Sequence, residues 1–390
     1  MLKKRHLVIT AIVTALAVWF IASFYYLKLG ALTYTDPVAR AKKLITDHYV
    51  NTLTEEQLKG MDDAAIDAMV GNLKDPYSFY LDMEKMEAFN EEKKEEYTGI
   101  GVQVNFNLET DQMTVIAPYD GSPAQKAGIL PGDVIKKVGN LTVSAETYDA
   151  VLSYIREGED DNIVMILQRD GEEHTVTVQR ELVREHVVTR KMLAGNLGYI
   201  RIGEFIQSTS EDFAIAVEAL QADNMQGLVI DLRNNPGGYA NSVVSIADSL
   251  IPRGVIAYLE DSQGRRQYMN SDDNCLSMPM VVLINGGSAS ASELLAGSLK
   301  SHGLATIIGE KSYGKAVGQS VYPLSDTTAL YLTNARYFTP NGECIDGVGI
   351  TPDIEIKLPE ELAGKMFLLT PEEDPQLSEA IQVLQNRLAE

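Results

Sequence analysis

Apolar and polar positions follow three rhythms along this chain. From Leu7 to Leu27 nothing charged interrupts a run of apolar and small polar residues. At about 1.5 Å per residue, that run is long enough to cross a hydrocarbon layer of roughly 30 Å. Between Pro37 and Leu73 the spacing turns helical: Pro37 to Tyr49 is amphipathic, Thr54-Glu55-Glu56-Gln57 reads as a helix start, and Asp62 to Leu73 continues it. Glu84 to Glu96 carries mixed charge and reads as a solvated helix or tether. From Gly99 to Val183 the period drops to two. Residues 102–106 and 113–116 read as half-buried strands, and Ile163 to Gln168 with His174 to Val178 as a hairpin across Arg169-Asp170-Gly171.

After Ala194 short apolar strands alternate with helical spacing, the rhythm of an α/β fold. Leu197 to Ile202 and Gly227 to Asp231 read as strands, and Ser208 to Ala222 as a helix between them. Asp231 leads into Leu232-Arg233-Asn234-Asn235-Pro236-Gly237-Gly238 and a helix through Ser249. Met280 to Ile284 is a buried strand, followed by Asn285-Gly286-Gly287 and a helix over 289–300. Ala305 to Ile308 is a further strand, opening into the glycine-punctuated loop Gly309 to Gly318. Beyond Leu358 the spacing predicts a C-terminal helix through Leu377 to Leu388, with edge packing or a dimer contact as its default role.

Composition narrows the partners. A formal charge of −22 argues against nucleic acid or an anionic lipid surface. Cys275 and Cys344 are the only cysteines and have no metal-ligand spacing, so neither a metal site nor a cofactor is indicated, and a bridge between them stays open. Lys3, Lys4 and Arg5 precede the first apolar run, and the positive-inside rule keeps that end in the cytoplasm. The run then reads as an uncleaved anchor with the body outside the cytoplasmic membrane. A cleaved signal peptide is the competing reading, disfavoured by the length of the run and the lack of an A-x-A site.

The candidate chemistry lies between Asn285 and Gln319. A serine at a sharp strand-to-helix turn is helped by backbone N–H groups and the helix dipole. Ser290-Ala291-Ser292-Glu293 is equally a capping box, in which Glu293 reaches back to the N–H of the cap. Lys311 and Lys315 lie in the following loop, where either a mobile surface turn or an amine above a nucleophile is consistent with the residues. His302 comes about three turns along the helix, roughly 18 Å from its start, too far to serve Ser290 with an acid such as Asp231. His174 and His186 read as solvated imidazoles. Gly237 and Gly238 either make a tight connection or turn N–H groups toward a cleft.

These stretches together resemble the C-terminal processing, or tail-specific, serine peptidases of family S41. The resemblance rests on Ser288-Ala289-Ser290-Ala291-Ser292-Glu293 and on Lys315, 25 positions after Ser290, with Gln319 four further on. It extends to Asp75-Pro76-Tyr77-Ser78 with Tyr80, to Tyr97-Thr98-Gly99-Ile100-Gly101-Val102, to 231–238, and to 337–349. Ala316 and Gly318 stand where the family usually has glycine and an apolar residue.

The apolar run gives a cytoplasmic stub and membrane anchor over 1–30; after it the resemblance implies a helical region over 31–96, a PDZ domain over 97–183, an α/β protease core over 184–357 and a helical segment over 358–390. It implies a serine endopeptidase in which Ser290 is the nucleophile, Lys315 the base and Gln319 its support. Ala291 and Gly237 or Gly238 would form the oxyanion hole. Thr98, Gly99, Ile100 and Gly101 would receive a substrate's free C-terminal carboxylate while the peptide adds as a strand, and the PDZ domain would gate activity. Substrates would be proteins or peptides, and a homodimer through the helical region is admitted. A lysine with an ordinary pKa near 10.4 must be neutral to act as a base, which asks burial for roughly 4 kcal/mol. The rival reading is a PDZ scaffold on a protease-like fold, in which Ser290 and Lys315 would be dispensable.

Overall fold

The helical spacing after Pro37 is realised as two helices with the caps that the residues dictate. The computed structural model describes residues 18–23, 36–91, 94–107, 110–119, 121–158 and 160–389, which divide into two units. In the first unit, up to Met83 together with 321–332, α1 is Pro37–His48. Asp36 caps it by accepting the Val38 N–H at 2.9 Å, and Pro37 occupies the first turn, where no N–H is missed. Helix α2, Glu55–Gly71, opens on a capping box. The Gln57 N–H donates to Thr54 Oγ1 at 3.2 Å, and the Thr54 N–H donates to Gln57 Oε1 at 3.0 Å. A short strand, β1 (Phe79–Leu81), departs from the expected helical region and pairs antiparallel with 329–331. Tyr80 on that strand is buried, with its hydroxyl donating to Asp63 at 2.6 Å.

Of the expected apolar span 7–27, only residues 18–23 are described, and they are helical; the rest of that reading lies outside the described residues. Among the described residues no helix is long and apolar enough to cross a membrane.

The second unit begins with a β domain. Strand β2 (Glu96–Gly99) precedes β3 (Val102–Asn107), β4 (Gln112–Pro118), β5 (Val134–Val138), helix α3 (Tyr148–Glu157), β6 (Asn162–Arg169), β7 (Glu172–Gln179) and β8 (Glu181–Arg184). The sheet runs β3-β4-β5-β6-β7, while β2 pairs with β8. The β6–β7 hairpin turns on Asp170 (φ 50°) and Gly171 (φ 84°), the left-handed pair that a two-residue turn between twisted strands requires. Alternate residues Ile163, Met165 and Leu167 of β6 point into the core of this domain.

The second part of this unit is a sheet covered on both faces. Its elements are β9 (Val188–Leu193), β10 (Leu197–Ile202), α4 (Thr209–Ala222), β11 (Gly227–Asp231), α5 (Ala240–Leu250), β12 (Gly254–Asp261), β13 (Arg266–Ser271), β14 (Met280–Ile284), α6 (Ala291–Ser301), β15 (Ala305–Gly309), β16 (Ile354–Glu355) and α7 (Pro375–Ala389). The order is β9-β10-β11-β14-β15-β16, antiparallel only at β9–β10. Such strands are buried on both sides, which is why Met280 to Ile284 reads as a continuous apolar run.

One face packs against α4, α5 and α6. On the other, Leu377, Ala380 and Leu384 of α7 meet Val229, Val281, Leu283 and Ile308. Helix α7 is therefore a core layer, and the expectation of an edge or dimer helix is corrected: Leu377 and Leu384 are covered by the chain's own sheet. The hairpin β12–β13, absent from the sequence reading, is joined by 335–338.

Candidate active site

Parallel pairing brings the candidate loops to one edge. Asp231 of β11 pairs with Leu283 of β14, and Ile284 pairs with Gly309 of β15. The loops that follow are the glycine loop 232–239, the serine turn 285–290 and the lysine loop 310–316. All three leave the carboxyl ends of adjacent parallel strands, the usual location of sites in open α/β sheets.

Backbone and small side chains stitch the first two together. Asn235 is fully buried; its Nδ2 donates to the Ile202 carbonyl at 2.9 Å, and its own carbonyl accepts both the Ala289 N–H and the Ser292 hydroxyl at 2.9 Å. The Ser288 hydroxyl donates to the Leu232 carbonyl at 2.8 Å. Gly237 lies directly against the serine turn: a Cβ there would come within 2.8 Å of Ser290 Cβ and 3.0 Å of the Ala291 nitrogen.

Ser290 sits at φ 54°, ψ −112°, a conformation that L-residues rarely adopt, immediately before the first residue of α6. Its N–H donates to Glu293 Oε2 at 2.9 Å, so the capping-box carboxylate does reach back. The same carboxylate is almost wholly buried and also accepts the N–H of Gly314 at 2.7 Å, the N–H of Lys315 at 2.8 Å and the Ser312 hydroxyl. The Tyr337 hydroxyl lies 2.8 Å from the carbonyls of both Ser290 and Lys315, to which it donates. Burial pushes this phenol well above its ordinary pKa of 10, and the charge of Glu293 adds to the effect.

The lysine loop is fitted closely to the turn at 345–350. Gly347 donates its N–H to the Gly314 carbonyl at 2.8 Å, and Ser312 donates its N–H to the Ile350 carbonyl at 3.1 Å. A Cβ on Gly314 would meet the Gly349 nitrogen at 2.9 Å, and one on Gly349 would meet the Ser312 carbonyl at 2.5 Å.

The oxyanion candidates separate. The Gly237 N–H already donates to Asn235 Oδ1 at 2.9 Å. Gly238, at φ 134°, is bridged to Phe205, which donates its N–H to the Gly237 carbonyl and accepts the Tyr239 N–H. Ala291 opens α6, where an N–H has no acceptor within its own helix. Gln319, in the strand Val317–Pro323, turns its amide toward Thr333 Oγ1 at 3.3 Å and the Val317 carbonyl at 3.4 Å.

His302 caps the far end of α6, with its ring nitrogen 2.8 Å from the Val255 carbonyl. Asp231 is enclosed by Arg233 and by the Tyr199 hydroxyl at 2.7 Å. Burial opposes ionisation of Asp231, but the charge and hydrogen bonds of Arg233, with Tyr199, hold it below the ordinary carboxylate range. No serine–histidine–acid arrangement forms from these groups. Among the described residues no cluster of histidine, cysteine and carboxylates gathers for a metal, and both cysteines are free thiols. His186 is not a bare solvated imidazole: its Nδ1 lies 3.2 Å from Asp212 Oδ2, and its ring meets Tyr119 edge-on at 5.5 Å.

In the β domain, Thr98 and Gly99 belong to β2, paired with Leu182 and Glu181. Ile100 is buried, and its carbonyl accepts the Ala124 N–H at 2.8 Å. Gly101, at φ 68°, accepts the Tyr119 N–H at 3.0 Å. Strand β3, which follows, is the edge of its sheet.

Tyr337 is the residue that sequence reasoning did not bring to the site: it opens the block 337–349, but no spacing ties it to Ser290. Glu293 reads in the sequence as the cap reaching back to Ser290, but not as the acceptor of the Gly314 and Lys315 N–H groups.

Comparison with known proteins identifies the family. The profile of Peptidase family S41 matches residues 196–356, a PDZ domain matches 114–180, and the N-terminal domain of the activating protease CtpB matches 30–85. A probable CtpA-like serine protease of Staphylococcus aureus (strain MRSA252) is 35% identical over 363 residues, covering 91% of this chain and 71% of the relative. The carboxy-terminal-processing protease of Bartonella bacilliformis is 37% identical over 314 residues, covering 77% of this chain and 71% of its own. Among solved structures, the photosystem II D1 C-terminal processing protease superposes with a TM-score of 0.52 at 30% identity, over 87% of this chain and 98% of that one. The matches to a PDZ domain and to the peptidase core, with relatives alike over most of the chain, show that it belongs to the S41 family of serine-type C-terminal processing peptidases.

Proposed function

We propose that this serine peptidase cleaves extracytoplasmic proteins with a Ser290–Lys315 dyad. The observation that carries the reading is the convergence of the two residues on one atom: Glu293 Oε2 accepts the backbone N–H of each, at 2.9 and 2.8 Å. Ser290 attacks the scissile carbonyl, Lys315 takes its proton and later returns one to the leaving amine, and Gln319 supports the lysine. The Ala291 N–H and, because the Gly237 N–H is engaged by Asn235, the Gly238 N–H stabilise the oxyanion.

The PDZ domain receives the substrate's free C-terminus at Thr98 to Gly101. The rest of the tail extends along the edge of β3, and its arrival gates the active site. Residues 7–27 hold the body at the outer face of the cell membrane. Exposed Leu44, Ile45, Tyr49 and Val50, on α1 and just after it, suit a contact with a second copy of the chain.

Incubation with matched peptides bearing free or amidated C-termini tests the reading. The wild-type chain cleaves the free-ended peptides preferentially, and Ser290→Ala and Lys315→Ala do not cleave. Cleavage that survives both substitutions overturns the dyad; undiminished peptide binding without cleavage by the wild type favours the scaffold.

A further inference from the structure

We propose that Tyr337 is a positioning residue for the Ser290–Lys315 pair, fixing from the carbonyl side the backbone geometry that Glu293 fixes from the N–H side. The proposal rests on the dyad reading.

Ser290 occupies a strained conformation that persists only where its surroundings over-determine it. The two ends of that residue are held by two different buried side chains, Glu293 at the N–H and Tyr337 at the carbonyl. The same two side chains hold the N–H and carbonyl of Lys315. The strained serine and the lysine, which reach the site on separate loops, are therefore clamped at both of their peptide groups by one pair of residues. No side-chain rotamer of either member of the dyad enters this clamp, so it sets where the two side chains start from.

Tyr337 is suited to the task. It is 5% exposed, so its ring cannot swing into water without opening the core. Its own N–H donates to the carbonyl of Ala316 at 3.0 Å, which ties its backbone to the residue after the lysine. Burial beside Glu293 and Asp346 keeps the phenol protonated, and so a donor, throughout the working pH range. One O–H is shared between two carbonyls, so a displacement of either loop weakens a bond on the other. The Ser290 carbonyl also accepts the Leu294 N–H at 2.9 Å, as the first bond of α6; loss of the phenol therefore loosens the turn without unmaking the helix.

Tyr337→Phe keeps the ring and removes only the hydroxyl. Loss of the shared hydrogen bond, compounded by a displacement of the reacting groups, lowers kcat by about 5- to 100-fold. KM stays within about twofold, since no substrate contact is removed. A matched control is Ser298→Ala, which deletes another buried hydroxyl of α6, bonded to the Ile256 carbonyl at 2.6 Å; it keeps wild-type kcat. Placing p-aminophenylalanine at 337 supplies two N–H donors on the same ring and restores kcat.

A wild-type kcat in Tyr337→Phe, or an equal loss in Ser298→Ala, overturns the proposal. So does a folded but slow p-aminophenylalanine protein, whether or not the phenylalanine variant folds. Ser290→Ala and Lys315→Ala run alongside: if they still cleave, the dyad falls and the clamp with it. If they are inactive while Tyr337→Phe is unimpaired, the clamp alone falls.

Discussion

Arg233 and Asp374, 141 positions apart, meet at 2.8 Å where each is about 1% exposed. Arg233 also grips Asp231 and donates to Gln376 Oε1 at 2.8 Å, so the start of α7 is bonded to the end of β11 beside the glycine loop. Removing one member of such a buried network strands the others, at about 3–5 kcal/mol. Arg233→Met leaves two carboxylates without their cation and is expected to cost more than Asp374→Asn, as read from urea unfolding midpoints with the slope unchanged.

The same network gives a pH dependence with a definite sign. Asp231 is held below its ordinary value, so its contribution to stability is present above the unfolded value of about 3.9 and is lost as pH falls through the folded one. In Arg233→Met burial is opposed only by the Tyr199 hydroxyl and the backbone N–H of residue 233, so the carboxyl rises, and its contribution is present at low pH and lost as pH rises. The gap in Tm between the two proteins therefore narrows as pH is lowered from 7 toward 4. A gap that widens over that range contradicts the assignment.

Ser290 carries backbone strain that only a residue without Cβ escapes. Both Ser290→Gly and Ser290→Ala lose the hydroxyl, yet the glycine variant should be the more stable by about 1 kcal/mol, visible as a higher Tm. Equal stability of the two would mean that the turn is relaxed in solution.

Two glycines near the site should answer alanine differently. At Gly238 a Cβ would lie 2.2 Å from the Phe205 carbonyl oxygen, at a φ of 134° that alanine resists. Gly238→Ala should cost on the order of 2–4 kcal/mol and abolish cleavage. At Gly318 the nearest atom is Leu259 Cδ2 at 3.7 Å, an ordinary contact. Gly318→Ala should leave cleavage and Tm close to wild type. Parallel thermal unfolding and peptide-cleavage assays check both.

What could be read from sequence was local. The strand Met280–Ile284, the box from Ser290 to Glu293 and the turn at Asp170-Gly171 each follow from residues within a few positions of one another. The Arg233–Asp374 bond, the reach of Tyr337 to Ser290 and the covering of Leu377 by the sheet depend on pairings across many tens of residues, which no periodicity encodes. Phe79 to Leu81 reads as part of a helical region because three residues are too few to set a rhythm, and its pairing with 329–331 decides the outcome. Gly237 and Gly238 were equivalent in sequence. The Asn235 side chain makes them unequal by taking one N–H.

The seam between the lysine loop and the turn at 345–350 is joined backbone to backbone, with no room for a Cβ at Gly314 or Gly349. Tyr313, 61% exposed, and Val348, 54% exposed, flank those glycines and leave the seam outward. Evolutionary divergence, or a designer's library, thus has one tolerant layer and one frozen layer in the same few residues. Side chains at 313 and 348 can be exchanged to alter what the rim of the site offers a peptide, while the glycines beneath them hold Lys315 in place.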